Sequence, residues 1–289
     1  LVLVNNVTSS EVFPLKKPIQ TKEETQKKLL IDVLKPLPKP IKKIETKVVK
    51  KKVEVKKENK NNLILPKKKP LIVFGTGQQS DIISFYLKKM SRKIELYCVD
   101  DNHLKGNSFN KKGIISTTTL LKKYKPKDYN MHIAISYSEL NSIRSKKYSF
   151  FKKKGYFLEN VINNFKLFNT SKKIGENVVV LDSHIQPYSK IGNNTFIWSG
   201  SIIGHHTNIG DNCWISSGVA IGGNCKVKNS SFFGMNATVG HFVDIGESCF
   251  IGSSAHITKK VKSNSVVINP DSKKLSFDVK KFLEIKKFK

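Results

Sequence analysis

No run in this 289-residue chain approaches the ~18 consecutive apolar residues of a membrane-spanning helix. The opening LVLVNNV is too short for a secretory signal and lacks the basic residues that precede one, so the chain reads as cytosolic. Acidic residues are scarce: 22 Asp and Glu stand against 52 Lys and Arg, a formal net charge of +30. Such a charge by itself suggests nucleic acid or an anionic membrane surface. Here the excess is nearly all Lys, accompanied by Asn and Ile and spread along the chain, without the Arg and aromatic clustering of a nucleic-acid surface. It is read as a solvated surface whose field attracts phosphorylated ligands.

Residues 1–69 lack any sustained apolar period. They carry 19 Lys and 7 acidic residues, punctuated by Pro, which predicts a disordered or transiently helical tail whose functional reading is a weak tether to a membrane surface or an acidic partner. At Pro70 the texture changes. PLIVFGTGQQSDIISFYLKKM reads as a buried strand, a Gly turn and a helix with Ile82, Ile83, Phe85, Tyr86 and Met90 on its apolar side. KIELYCVDD is a second strand ending in Asp100 and Asp101. MHIAISY is a third, followed by the helix-like SELNSIRSKKYSFFKKKG. This alternation predicts a parallel α/β domain over 70–168.

From about Ile174 to about Ile268 another rule takes over. Apolar residues recur every sixth position: Ile185, Ile191, Ile197, Ile203, Ile209, Ile215, Ile221, Val227, Phe233, Val239, Ile245, Ile251 and Ile257. Four residues after each comes a small or β-branched one, from Ser189 to Val261. A period of six fits short strands joined by tight turns around a three-sided prism, one inward aliphatic per side and three hexads per coil. IGENVVVLDSH belongs to the pattern but is one residue out of phase, which predicts a shortened turn. Cys213, Cys225 and Cys249 fall at the small interior position, as compact hydrophobes. Cys98 lies in a strand. The prism domain is placed at 169–270, with a C-terminal helical tail over 271–289.

GTGQQS after the first strand, VDD after the second and IQPYSKIGNNTFIWSGSIIGHHTNIGDNCWISSGVAIGG together resemble the NeuD-type sugar O- and N-acetyltransferases, over about residues 70–270. The resemblance implies a Rossmann-like α/β domain holding a nucleotide-linked sugar, followed by a left-handed parallel β-helix. It also implies acetyl-CoA as co-substrate, bound between the subunits of a homotrimer. It places the catalytic histidine at His205. The next position, a glutamate in some members, is His206. The substrate loop falls on Gly75, Thr76, Gly77 and Gln78, and the acidic pair on Asp100 and Asp101. Coenzyme positions fall on Trp214, Met235 and Ser253, with Gly223 nearby. His241, two coils beyond His205, is a further coenzyme candidate.

The residues argue separately for part of this. An amine attacking a thioester must lose a proton, and an imidazole is suited to take it. His205 stands two residues after the inward Ile203, hence at a turn facing outward. GTGQQS lacks the third Gly of the dinucleotide fingerprint and fits a turn whose N–H groups meet a sugar-nucleotide diphosphate. The resulting expectation is N-acetylation of a nucleotide-linked amino-deoxysugar for surface-glycan synthesis, without a metal. The alternatives are O-acetylation of a sialic-acid-like sugar, a carbonic-anhydrase-like metal site using His205, His206 and His241, and a non-catalytic scaffold.

Overall fold

The computed structural model describes residues 69–104, 111, 113–164, 174–272, 274, 276 and 278–281. The expected tail over 1–69 lies outside the described residues except for Lys69, and so does most of the expected C-terminal helix. Of the latter, residues 279–281 form a helical turn, where the backbone N–H of Lys281 donates to Asp278 Oδ1. Among the described residues no helix is long and apolar enough to cross a membrane.

The α/β domain holds five parallel strands: β1 (Leu71–Phe74), β2 (Ile94–Val99), β3 (Ile114–Ser116), β4 (Asn130–Ile133) and β5 (Phe157–Leu158). Their order is β3-β2-β1-β4-β5. The chain therefore reverses direction across the sheet between β1 and β4, and in such sheets ligands collect beyond the carboxyl ends at this point. Both strands are buried throughout, as strands covered on two faces must be. Alternation divides β1 between two cores. Leu71 and Val73 pack toward the prism, while Ile72 and Phe74 pack against Leu120 and Phe151 on the far side.

The helix after β1, α1 (Gln78–Lys89), differs from its sequence reading. It buries Ser80, Ile83 and Leu87, whereas Ile82 and Phe85 are exposed. The buried stripe follows the i, i+3, i+7 rule from Ser80, which turns Phe85, two residues beyond Ile83, to the opposite side. Phe85 carries the Lys89 ammonium over its ring. The short helices α2 (Asp101–Leu104) and α3 (Thr117–Lys123), together with β3 and β5, had no periodic signal. The helix expected after β4 is α4 (Ser142–Lys153).

The C-terminal half is the left-handed β-helix. Its strands are two residues long and stack in parallel on three faces. The first face runs Val179–Val180, Phe196–Ile197, Trp214–Ile215, Phe232–Phe233, Phe250–Ile251 and Val266–Val267. The α/β domain adds β6 (Val161–Ile162) to its edge. Phe196 pairs with Trp214 and Trp214 with Phe232, one coil of three hexads apart. Val180 pairs with Ile197 one residue short of that spacing, the shortened turn expected from the phase slip. Every member of the inward aliphatic series is buried.

The small interior residues do more than fill space. Their hydroxyls donate to turn carbonyls of the next coil, as Ser201 does to Ser216 (2.9 Å) and Thr207 to Gly222 (2.7 Å). The Cys213 and Cys225 thiols do the same toward Lys228 and Gly240. All four cysteines are buried, and burial pushes the thiols of Cys98 and Cys213 up to about 12.

Four outward residues of the first face, Phe196, Trp214, Phe232 and Phe250, are aromatic, and the α/β domain covers the first three. Arg144 of α4 is fully buried at this junction. Its guanidinium lies 4.7 Å from the Phe196 ring and 5.3 Å from the Trp214 ring, and donates to the carbonyls of Ser136, Asn194, Asn212 and Cys213. Desolvation lowers its pKa to about 9, which still leaves it charged at neutral pH. Asn177 ties the same seam by bonding the backbone of Ile133 and the side chain of Asn194.

Candidate active site

Two constructions stand on different edges of the prism. The first is the edge where the second face, containing Ile202–Ile203, turns into the third, containing Asn208–Ile209. At the outer position of successive turns stand Tyr188, His206, Asn224 and Phe242, all with left-handed backbone (φ 65°, 59°, 60° and 61°). The position before each gives the column Pro187, His205, Gly223 and His241.

Gly223 decides the geometry of that column. A Cβ at Gly223 would lie 2.8 Å from both Cε1 and Nε2 of His205, so the imidazole folds down into space that only glycine leaves open. This brings the His205 ring within 6.5 Å of His241, centroid to centroid, closer than two full layers of stacked strands. The His205 backbone N–H donates to Gln186 Oε1 (3.0 Å), and the Gly223 N–H donates to His241 Nδ1 (3.0 Å). The Nδ1 atoms of His205 and His206 are 3.1 Å apart, and the His206 ring packs 4.8 Å from Tyr188. Both His205 and His206 are exposed.

The three imidazoles do not converge. His205 and His206 turn Nδ1 toward each other while His241 turns Nδ1 toward a backbone N–H, and among the described residues no three His, Cys, Asp or Glu groups are placed to hold a metal.

The second construction is a cleft of about 770 Å³ at the switch point of the sheet. Gly75, Thr76, Gly77, Gln78 and Asp100 line it, with Trp198 and Trp214 of the prism opposite. Gly75 has φ 116°, and a Cβ there would meet the Ala134 carbonyl oxygen at 2.7 Å, so the loop closes only with glycine. Gly77 caps α1 without a side-chain bond; the Ser80 N–H donates to the Gly77 carbonyl, and the N–H groups of Gln78 and Gln79 at the start of this 12-residue helix are left for an anion.

The acidic pair is split. Asp100 lines the cleft and pairs with Lys147 at 2.5 Å. Asp101 does not line it; its Oδ2 accepts the Thr118 N–H at the start of α3. The five coenzyme candidates divide as well. Trp214, Met235 and Ser253 line a cavity of about 330 Å³ that shares Tyr137, Trp198 and Trp214 with the cleft. Gly223 and His241 stand with His205 on the other edge.

The sequence reading missed Tyr137, Trp198 and Lys147. Tyr137 follows the carboxyl end of β4 beside the switch point, a position that signals a ligand wall. It packs 5.1 Å from Trp214 and 4.9 Å from Phe232.

Comparison with known proteins agrees with this architecture. Residues 171–205 and 206–241 match the model of the bacterial transferase hexapeptide (six repeats). No curated protein matches the chain. Among solved structures, a mutant perosamine N-acetyltransferase from Caulobacter crescentus in complex with CoA and GDP-perosamine is 19% identical, with a TM-score of 0.61, over 69% of this chain and 93% of that one. The acetyltransferase domain of PglB from Neisseria gonorrhoeae FA1090, in complex with acetyl coenzyme A, is 21% identical with a TM-score of 0.61, over 72% and 99%. WeeI from Acinetobacter baumannii AYE is 21% identical with a TM-score of 0.57, over 69% and 96%. These likenesses identify the fold, an α/β domain followed by a hexapeptide prism.

Proposed function

We propose that this chain is an acetyl-CoA-dependent acetyltransferase that acylates the amine of a nucleotide-linked amino-deoxysugar for surface-glycan synthesis. The observation that carries the reading is His205, an exposed imidazole at a turn where the next coil is reduced to Gly223 to make room for it. Two structural neighbours support the ligands: one is described with CoA and GDP-perosamine, the other with acetyl coenzyme A.

The nucleotide-sugar lies in the cleft, its diphosphate against Gly75 to Gln78 and the N-terminus of α1. The coenzyme runs past Trp214, Met235 and Ser253. His205 stands on another edge of the same prism, which suits an assembly in which a second copy brings its own His205 edge to this cleft; the assembly is the homotrimer that the sequence resemblance implies. The amine nitrogen attacks the thioester carbonyl and gives its proton to His205 Nε2. Turn N–H groups hold the oxyanion, the C–S bond breaks, and the departing thiolate takes that proton back.

Replacing His205 with Asn tests the assignment. Thiol release from acetyl-CoA falls about a hundredfold or more, while acetyl-CoA affinity and thermal stability stay near those of the parent, because His205 belongs to neither inward column. Unchanged turnover in that variant overturns the reading.

A further inference from the structure

The acetyl transfer proposed above requires a lone pair on His205 Nε2, and the position of His206 decides whether one is present. Two imidazole nitrogens 3.1 Å apart hydrogen-bond only when one carries a proton and the other a lone pair. The Nδ1 contact therefore has a direction, and each direction fixes the tautomers of both rings. If His206 donates, neutral His205 must carry its proton on Nε2 and cannot accept another there. If His205 donates, its Nε2 keeps the lone pair, at the atom that lies over Gly223.

His206 is held in place to receive that bond. Its backbone is left-handed, its N–H donates to the Pro187 carbonyl (3.1 Å), and its ring rests on Tyr188. The other groups around the pair are the Gln186 amide, Gly223 and His241, the last already accepting from the Gly223 N–H. None of these is a carboxylate.

We infer that His206 is a neutral hydrogen-bond acceptor that positions the base: His205 Nδ1–H donates to His206 Nδ1, and His205 Nε2 is thereby left free to take the amine proton. When the C–N bond forms, that proton moves to Nε2 and the imidazolium keeps its bond to His206. When the C–S bond breaks, the proton passes to the sulfur and the pair returns to its starting tautomers.

Three substitutions at His206, assayed for acetyl transfer to a nucleotide-linked amino-sugar, separate this role from its rivals. Asn sets Oδ1 near the place of Nδ1 and is at home in left-handed backbone; the His206→Asn enzyme keeps kcat within about threefold, since an acceptor remains. His206→Ala loses the acceptor, and kcat drops by about tenfold or more with both KM values near parent, the signature of a mispositioned base. His206→Glu moves the acidic limb of the pH profile upward by about one unit. Nitrogen-15 spectra of the parent are expected to show His205 protonated at Nδ1 and His206 at Nε2.

Two results overturn the inference. A His206→Asn enzyme as inactive as His205→Asn makes His206 the base, and a His206→Ala enzyme as fast as His206→Asn makes it an ordinary turn residue. Retained transfer in His205→Asn is a different failure, since it removes the proposed base itself.

Discussion

Arg144 shows how much one side chain contributes to joining the two halves. Its guanidinium is fully buried, and its four hydrogen bonds all end on backbone carbonyls, three of them in turns of the prism. A planar donor fork reaches several carbonyls at once, which a lysine ammonium on a flexible stem does not reproduce. Replacing it with Met strands those carbonyls and removes the ring contacts with Phe196 and Trp214. Arg144→Met is expected to lower unfolding free energy by roughly 3 kcal/mol and to expose the junction to limited proteolysis, with Arg144→Lys recovering only part of the loss. Nothing in the sequence marked this residue, since Arg144 sits in a Lys-rich helix of weak amphipathicity. The same holds for Trp198 and Tyr137, whose importance depends on which outward positions the neighbouring domain covers.

The turns carry the chemistry of the prism, and two of their glycines separate stability from function. A Cβ at Gly204 would clash with the backbone of Gly222 and Gly223, which cannot move without parting the coils. The atoms nearest to a Cβ at Gly223 all belong to the His205 ring, which can rotate away. Gly204→Ala is therefore expected to lower the melting temperature by several degrees, the effect of about 1–2 kcal/mol in a domain of this size. Gly223→Ala is expected to leave melting nearly unchanged while transfer falls by about tenfold or more through displacement of the base. The inward columns were fully legible in the sequence because the same demand repeats thirteen times at a period no helix shares. The sequence also carries a longer period: Phe196, Trp214, Phe232 and Phe250 place an aromatic at every eighteenth residue, the mark of a covered face. The apolar side of α1 was misjudged because composition named apolar residues where only angular position separates Ile83 from Phe85.

At the scale of the whole chain, the expected residues other than Asp101 gather into two groups rather than one. His205, His206, Gly223 and His241 share an edge of the prism. Gly75 to Gln78, Asp100, Trp214, Met235 and Ser253 line connected cavities elsewhere. A linear sequence carries the membership of each group through its motifs, but the separation is a matter of which turn faces which way. The formal net charge of +30 suits the two polyanionic substrates proposed here, whose encounter it would speed at low ionic strength. The most direct measurement incubates the full chain with acetyl-CoA labelled in the acetyl group and a set of nucleotide-linked amino-sugars, followed by mass spectrometry of the sugar. One labelled acetyl group on the sugar nitrogen is expected for each thiol released. Thiol release without acetylated sugar, or no transfer to any amino-sugar, would contradict it.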